Sequence, residues 1–356
     1  MNQSPLVIGA RSIDVGYFNV KFTLGRPASH GGPAPVGNFP AIAPVLRSGA
    51  ARHMEGVAQP DGCVVPINGV TYFVGPGAAQ RGSGTDARLV KEDYATSDRY
   101  LALLRGALWR IAGDAGDAGD AKDVVIRRLG LGLPLNTYFD AAQALRDRAV
   151  GEHVVGAGAN ERRVTVEQAR VIVQPQGTII HFGYTNGGKP LEGVTMVVDP
   201  GGGTLDWYLS ERTTPYWERS GAYPKAMLAC AYAVADRLDP GWRDQPAIVD
   251  RIDRAIREQR SSFTVQGQEI QMAEHRPAVE QVLDESIDQM LTAVGKMDDV
   301  DHLLFTGGGA SVFSARLQKR YPRLKKITRM DVDPIYSNVR GFQVVAEADL
   351  ASAKGW

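Results

Sequence analysis

Two aspartates, each followed two positions later by a glycine, are the residues best suited to chemistry in this chain. In SIDVGYFNVKFTLG, residues 12–25, Asp14, Gly16, Asn19 and Lys21 surround what reads as a hairpin bend. In VTMVVDPGGGTLDWYL, residues 194–209, Asp199, Gly201 and Asp206 repeat the pattern, and Lys21 falls opposite Asp206. Glycine at such a turn lets backbone N–H groups approach an anion closely, because no Cβ intervenes. Lysine offers phosphate a compact positive charge. Carboxylates at strand ends can organise Mg²⁺ through the waters that ion retains. One such hairpin alone is more often an ordinary turn. Two of them form an internal repeat and predict two similar domains, each presenting one jaw to a phosphate chain.

A third element strengthens this reading. LLFTGGGASVF, residues 303–313, is an apolar run, three glycines (Gly307, Gly308 and Gly309) and a helix start. Amides and the helix dipole at such a junction suit a nucleotide.

These motifs need elements to carry them. Strands are predicted at 11–15, 20–24, 124–133, 163–166, 169–173, 194–198, 205–209 and 303–305, with a hairpin at 63–74 around Asn68-Gly69. A second hairpin is expected at 262–272. Apolar residues at three- and four-residue spacing predict helices at 97–112, 137–149, 224–238, 245–259, 277–296, 310–320 and 338–353. Residues 26–40, rich in Pro and Gly, read as a loop. The run GDAGDAGDA, 113–121, lacks the ligand spacing and closing Glu of a calcium loop. Strands lead and helices follow in each half, so the fold class is α/β with two domains. At 356 residues the chain also exceeds the length at which one core usually stops growing.

Composition removes several function classes. Forty basic residues balance 40 acidic ones, so no global field favours nucleic acid or a membrane surface. Two cysteines, Cys63 and Cys230, give neither a disulfide framework nor a zinc motif. Histidines 30, 53, 153 and 181 are expected in loops or on the surface. The N-terminus lacks a signal-peptide pattern and no apolar run could span a bilayer, which points to a soluble, cytoplasmic protein. Neither the P-loop nor the Rossmann fingerprint occurs.

Asp14-x-Gly16-x-x-Asn19-x-Lys21, Asp199-x-Gly201-Gly202-Gly203-Thr204-x-Asp206 and Gly307-Gly308-Gly309 resemble, in that order, the two phosphate motifs and the adenosine motif of the actin/Hsp70/sugar-kinase superfamily. GGGTLD is similar to the ParM-like bacterial actins of plasmid segregation. So are VGPGAA at 74–79, LPLNTYF at 133–139 and NVRGF at 338–342. DVGYFNVKF is also similar to the actin-like proteins of plasmid-borne PRTRC systems.

The resemblance implies an actin-like (ribonuclease H-like) duplicated fold with an interdomain nucleotide cleft. Domain I would span 1–190, completed by helix 338–353, and domain II would span 191–337. ATP or ADP would bind with Mg²⁺, whose shell Asp14 and Asp199 would organise. Lys21 would contact the β- and γ-phosphates. The amides of Gly16, Tyr17, Phe18 and Asn19, and of Gly201, Gly202, Gly203 and Thr204, would cradle the phosphates, with Asp206 beside them. Gly307–Gly309 would lie under adenine and ribose, and Lys225 would border them. Gln176, with Gln174 in reserve, would position the attacking water from the end of the strand before the second phosphate motif. Tyr17 stands where actins commonly carry Ser or Thr, so its bulk would reshape the γ-phosphate pocket. The activity implied is a slow ATPase whose subunits add head to tail into filaments for plasmid segregation. A DNA-bound adaptor is its expected partner, with no membrane and no direct nucleic-acid contact. The alternatives are a non-polymerising ATP-dependent adaptor and a small-molecule kinase of the same superfamily.

Overall fold

The computed structural model describes residues 4–25, 33–46, 60–81, 93–115, 121–212 and 214–353. His30 and His53, and residues 116–120 of the Gly/Asp run, lie outside them. The chain divides into two compact units, one drawn from 1–133, 137–173 and 339–356 and the other from 134–136 and 174–338. The first crossing after the helix at 137–149 therefore falls after Val173, earlier than the expected boundary at 190.

The first unit is built on a sheet ordered β3-β2-β1-β6-β8-β7, with β9 also paired to β6. These strands are β1 (Leu6–Val15), β2 (Asn19–Thr23), β3 (Val36–Pro40), β6 (Asp123–Leu133), β7 (Gly151–Val155), β8 (Arg162–Val166) and β9 (Ala169–Val173). A separate hairpin, β4 (Cys63–Ile67) with β5 (Val70–Val74), turns at Asn68-Gly69. Two differences from the expected elements stand out. β1 starts at Leu6 rather than 11, because its N-terminal half pairs in parallel with β6. Part of the expected 26–40 loop is strand β3. Its Phe39 is 1% exposed, and Pro40 is tolerated because β3 lies at the sheet edge.

Helix α1 (Asp98–Asp114) is capped by the Ser97 side chain accepting from the Tyr100 amide. It buries Leu103, Leu104, Leu108 and Ile111 in the core of this unit. The part of α8 (Ser337–Ala353) in this unit packs Phe342 onto β6, where a Cβ on either Gly130 or Gly132 would collide with it. Gln343 accepts from Thr23 and donates to the Ala10 carbonyl, fastening the helix to β1 and β2. Helix α2 (Leu135–Ala149) ends beside His153, which contacts the Ala149 carbonyl and is 2% exposed. His153 is thus a buried residue and not the surface one expected; burial holds its pKa below the usual value.

The second unit repeats the plan. Its sheet runs β12-β11-β10-β16-β17, with β13 also on β11. The strands are β10 (Val194–Pro200), β11 (Leu205–Glu211), β12 (Thr214–Pro215), β13 (Gly221–Tyr223), β16 (Val300–Phe305) and β17 (Thr328–Met330); β14 (Ser262–Val265) and β15 (Gln268–Gln271) form a hairpin. In both units an antiparallel hairpin (β1–β2, β10–β11) is extended by a parallel strand (β6, β16) on its first member. Helices α3 (Gln174–Thr185), α4 (Met227–Leu238), α5 (Pro246–Arg257), α6 (Arg276–Val294) and α7 (Ala310–Arg320) complete it. Helix α3 was not expected from the sequence. Its Ile179 and Phe182 pack against Val197 and Leu304, and its His181, 3% exposed, is again buried rather than a surface residue. Cys63 and Cys230 are free and buried, which pushes each thiol up to about 12. Among the described residues, no helix is long and apolar enough to cross a membrane.

Candidate functional site

The first hairpin closes where Gly16 donates its amide to the Asn19 carbonyl at 3.1 Å. A Cβ on Gly16 would sit 3.1 Å from that oxygen, so the turn favours glycine. Asp14 and Lys21 are direct cross-strand partners, and Lys21 Nζ lies 2.7 Å from Asp14 Oδ2. The aspartate side chain is 1% exposed and the lysine 16%, so this ion pair is desolvated on its anionic side. Tyr17 stacks on Tyr94, with centroids 4.9 Å apart and planes 27° apart; Tyr94 meets Tyr100 edge-on at 5.4 Å. The bulk of Tyr17 thus rests on an aromatic ladder of Tyr94 and Tyr100. Phe18 accepts from the Ala41 amide at 2.8 Å, tying the turn to the segment after β3.

The second hairpin has the same closure. Gly201 donates to the Thr204 carbonyl at 2.9 Å, and Asp199 and Asp206 are cross-strand partners, as Asp14 and Lys21 are. The carbonyls of Gly201 and Gly202 accept from the Met227 and Leu228 amides at 3.3 and 2.9 Å, so this loop caps helix α4. In a trans peptide the following N–H points opposite to the carbonyl. The amides of Gly202 and Gly203 therefore point away from α4, and neither donates to a carbonyl among the described residues. Two adjacent amides aimed the same way make an anion-binding nest.

The triple-glycine turn docks onto this loop. Thr306 donates to the Val198 carbonyl at 3.0 Å and Gly309 to the Pro200 carbonyl at 2.9 Å. Gly307 has φ +79°, and a Cβ there would collide with Asp199 Oδ1. Gly308 faces open space, whereas a Cβ on Gly309 would press on Met227. Asp199, Gly201–Thr204, Gly307–Gly309 and the start of α4 are thus brought together in one unit.

Asp206 is 4% exposed and accepts from Thr204 Oγ1 at 2.6 Å. Burial pushes its carboxyl up to about 7; the Thr204 bond opposes this and the Asp199 charge adds to it. Between about 4 and 7 the folded chain then holds a proton that the unfolded chain has lost, so this group's contribution falls as pH rises. Asp206→Asn should remove that slope. Relative to the variant, the wild type should lose on the order of 2 kcal/mol between pH 5 and pH 8 in denaturant unfolding.

Other expected residues have different surroundings. Lys225 precedes helix α4, which starts only at Met227 and not at 224, and its Nζ lies 2.6 Å from Glu285 Oε1 on α6. Tyr223 donates to the same carboxylate at 2.5 Å. Gln174 and Gln176 do not end a strand: β9 stops at Val173 and Gln174 opens α3, with Pro175 in its first turn. Residues that sequence reasoning missed include Tyr94, Glu285, Thr178 and Asn338. The last donates to Asp199 Oδ2 at 2.6 Å. NVRGF had marked Asn338, but without a task.

Among the described residues, no group of three or more His, Cys, Asp or Glu side chains could hold a metal ion. A ready-made protein cage is therefore absent there. Isolated buried carboxylates fit an ion that takes most of its ligands from phosphate and water, as Mg²⁺ does beside nucleotides.

Residues 12–177, just under half of the chain, match the family model of the N-terminal domain of actin-like proteins. The actin-like protein Alp7A superposes with a TM-score of 0.74 at 15% identity, covering 98% of each chain. An archaeal actin homologue solved in complex with ADP gives a TM-score of 0.72 at 18% identity, covering 96% of this chain and 100% of its own. A ParM from a 15-stranded filament of Clostridium botulinum gives 0.71 at 17%, covering 95% and 99%. No curated protein matches the chain in sequence. The fold is actin-like, α/β, and runs through nearly the whole chain. Within that fold, a ParM protein and the actin-like protein Alp7A are among the solved structures the chain is similar to.

Proposed function

We propose that this protein is a slow ATPase that binds Mg-ATP through its two hairpins and triple-glycine turn. It assembles head to tail into nucleotide-dependent filaments and serves plasmid or DNA segregation through a DNA-bound adaptor. The observation that carries the reading is the repeated register. Asp14 faces Lys21 and Asp199 faces Asp206 across hairpins closed by the same Gly-amide bond. An archaeal relative of the same fold has been solved with ADP, and a ParM of that fold as a filament.

In this account the amides of Gly16–Asn19 and Gly201–Thr204 hold the phosphate oxygens, and Lys21 places its charge on the β- and γ-phosphates. Gly308, with open space before it, and its neighbours lie under the adenosine, and Lys225 borders it. Asp14 and Asp199 hold the shell of Mg²⁺, which when bound neutralises developing phosphate charge. Gln176, with Gln174 in reserve, orients the water; an amide suffices because phosphoryl transfer depends on positioning more than on a strong base. Heterologous contacts that do not close give filaments.

The test is phosphate release from Mg-ATP by the purified protein, with and without sugars and other small acceptors. Release to water supports the ATPase; transfer to an acceptor supports the kinase alternative and overturns this reading. Gln176→Ala should bind nucleotide within about threefold of wild type while releasing phosphate on the order of tenfold more slowly. Unchanged release would remove Gln176 from the mechanism.

A further inference from the structure

Asn338 opens the NVRGF stretch, which has no role in the reading above, yet it touches the second aspartate. It is buried, 4% exposed; its Nδ2 donates to Asp199 Oδ2 at 2.6 Å and its Oδ1 accepts from Thr178 Oγ1 at 2.7 Å. An ionised carboxylate only accepts, so the amide nitrogen must face Asp199, which leaves the oxygen for the threonine hydroxyl. The segment before Asn338 is fastened to the same helix. His181, three residues beyond Thr178 on α3, contacts Asp331 Oδ2 at 2.9 Å, and that oxygen also accepts from Ser337 at 3.0 Å. Two side chains about one turn apart on α3 thus hold residues 331–338, whose last member holds Asp199.

The Asn338 group that grips Asp199 is a neutral amide. A neutral donor fixes a carboxylate's orientation without itself adding an opposing charge. Thr178 and Asn338 also flank the points where the chain passes between units, after Val173 and after Asn338.

Resting on the function proposed above, we infer that Asn338 is a positioning residue. It sets the Asp199 carboxylate for the Mg²⁺ of the nucleotide complex, and through Thr178 it ties that carboxylate to the helix bearing Gln174 and Gln176. The test compares wild type, Asn338→Ala and Thr178→Val for three quantities. These are kcat for phosphate release, the Mg²⁺ concentration giving half-maximal rate at saturating ATP, and ADP affinity in EDTA. Asn338→Ala should lower kcat by about 10- to 100-fold and raise the half-maximal Mg²⁺ about tenfold, leaving Mg-free ADP affinity within about threefold. Thr178→Val should move the same two quantities in the same direction by a smaller factor, and it decides the matter alone if Asn338→Ala does not fold. A purely structural role would lower the melting temperature with kcat and Mg²⁺ dependence per folded molecule unchanged, which overturns the inference while the ATPase reading stands. Wild type that releases no phosphate from Mg-ATP defeats both.

Discussion

Asp199→Ala is expected to lower Mg-ATP hydrolysis by at least about 100-fold, the scale set by removing one preorganised electrostatic group from an active site. Two features make the effect large. Asp199 is 8% exposed, so its charge acts where water screens it little. Its position is also fixed from several sides: Asn338 donates to Oδ2, Gly307 lies against Oδ1, and Asp206 faces it across the hairpin. The fold should survive. The deletion leaves the Asn338 amide without this acceptor, at a cost of about 1–3 kcal/mol, and β10 keeps its pairing on both sides. Single-turnover phosphate release, with circular dichroism on the same sample, checks both halves. Unchanged turnover in a folded variant would refute the two-hairpin clamp.

Lys21→Met should produce the second large effect, first on stability. The Asp14 side chain is 1% exposed, and its lysine lies 2.7 Å away. Removing the cation leaves a buried carboxylate facing an apolar thioether, and breaking one side of such a pair costs about 3–5 kcal/mol. Lys21→Met should therefore unfold at markedly lower urea, and adding Asp14→Asn should restore much of the loss. The double-mutant cycle measures the coupling. Recovered stability should not bring back hydrolysis, because the reading gives the pair's charges to phosphate and metal. A double variant that hydrolyses like wild type would contradict that assignment.

The sequence made the two hairpins legible because their signals are local. Asp-x-Gly at the end of an apolar run specifies a turn with a second strand after it, so the equivalence of Lys21 and Asp206 in the two repeats could be read before either register, Asp14 with Lys21 and Asp199 with Asp206, was known. The triple glycine before α7 and the Asn-Gly turn between β4 and β5 were readable for the same reason. Helix α3 was hidden because QPQG looks like a break, although Pro175 is acceptable in a first turn and Ile179 and Phe182 find a core only in three dimensions. That concealment set Gln174 and Gln176 at a strand end. Strand β3 was hidden in the Pro/Gly-rich stretch 26–40, whose composition reads as loop. The burial of His153 and His181 depends on distant partners, as does the Asn338 contact with Asp199, 139 residues away. No local pattern encodes such pairs.

Bound nucleotide is expected to control assembly. Sedimentation of the purified protein with Mg-ATP, Mg-ADP and a non-hydrolysable ATP analogue tests it most directly. The protein should pellet with ATP and with the analogue and stay in solution with ADP, and Asp199→Ala should abolish the difference. A protein that remains monomeric in all three conditions while passing the γ-phosphate to a small molecule would contradict the account.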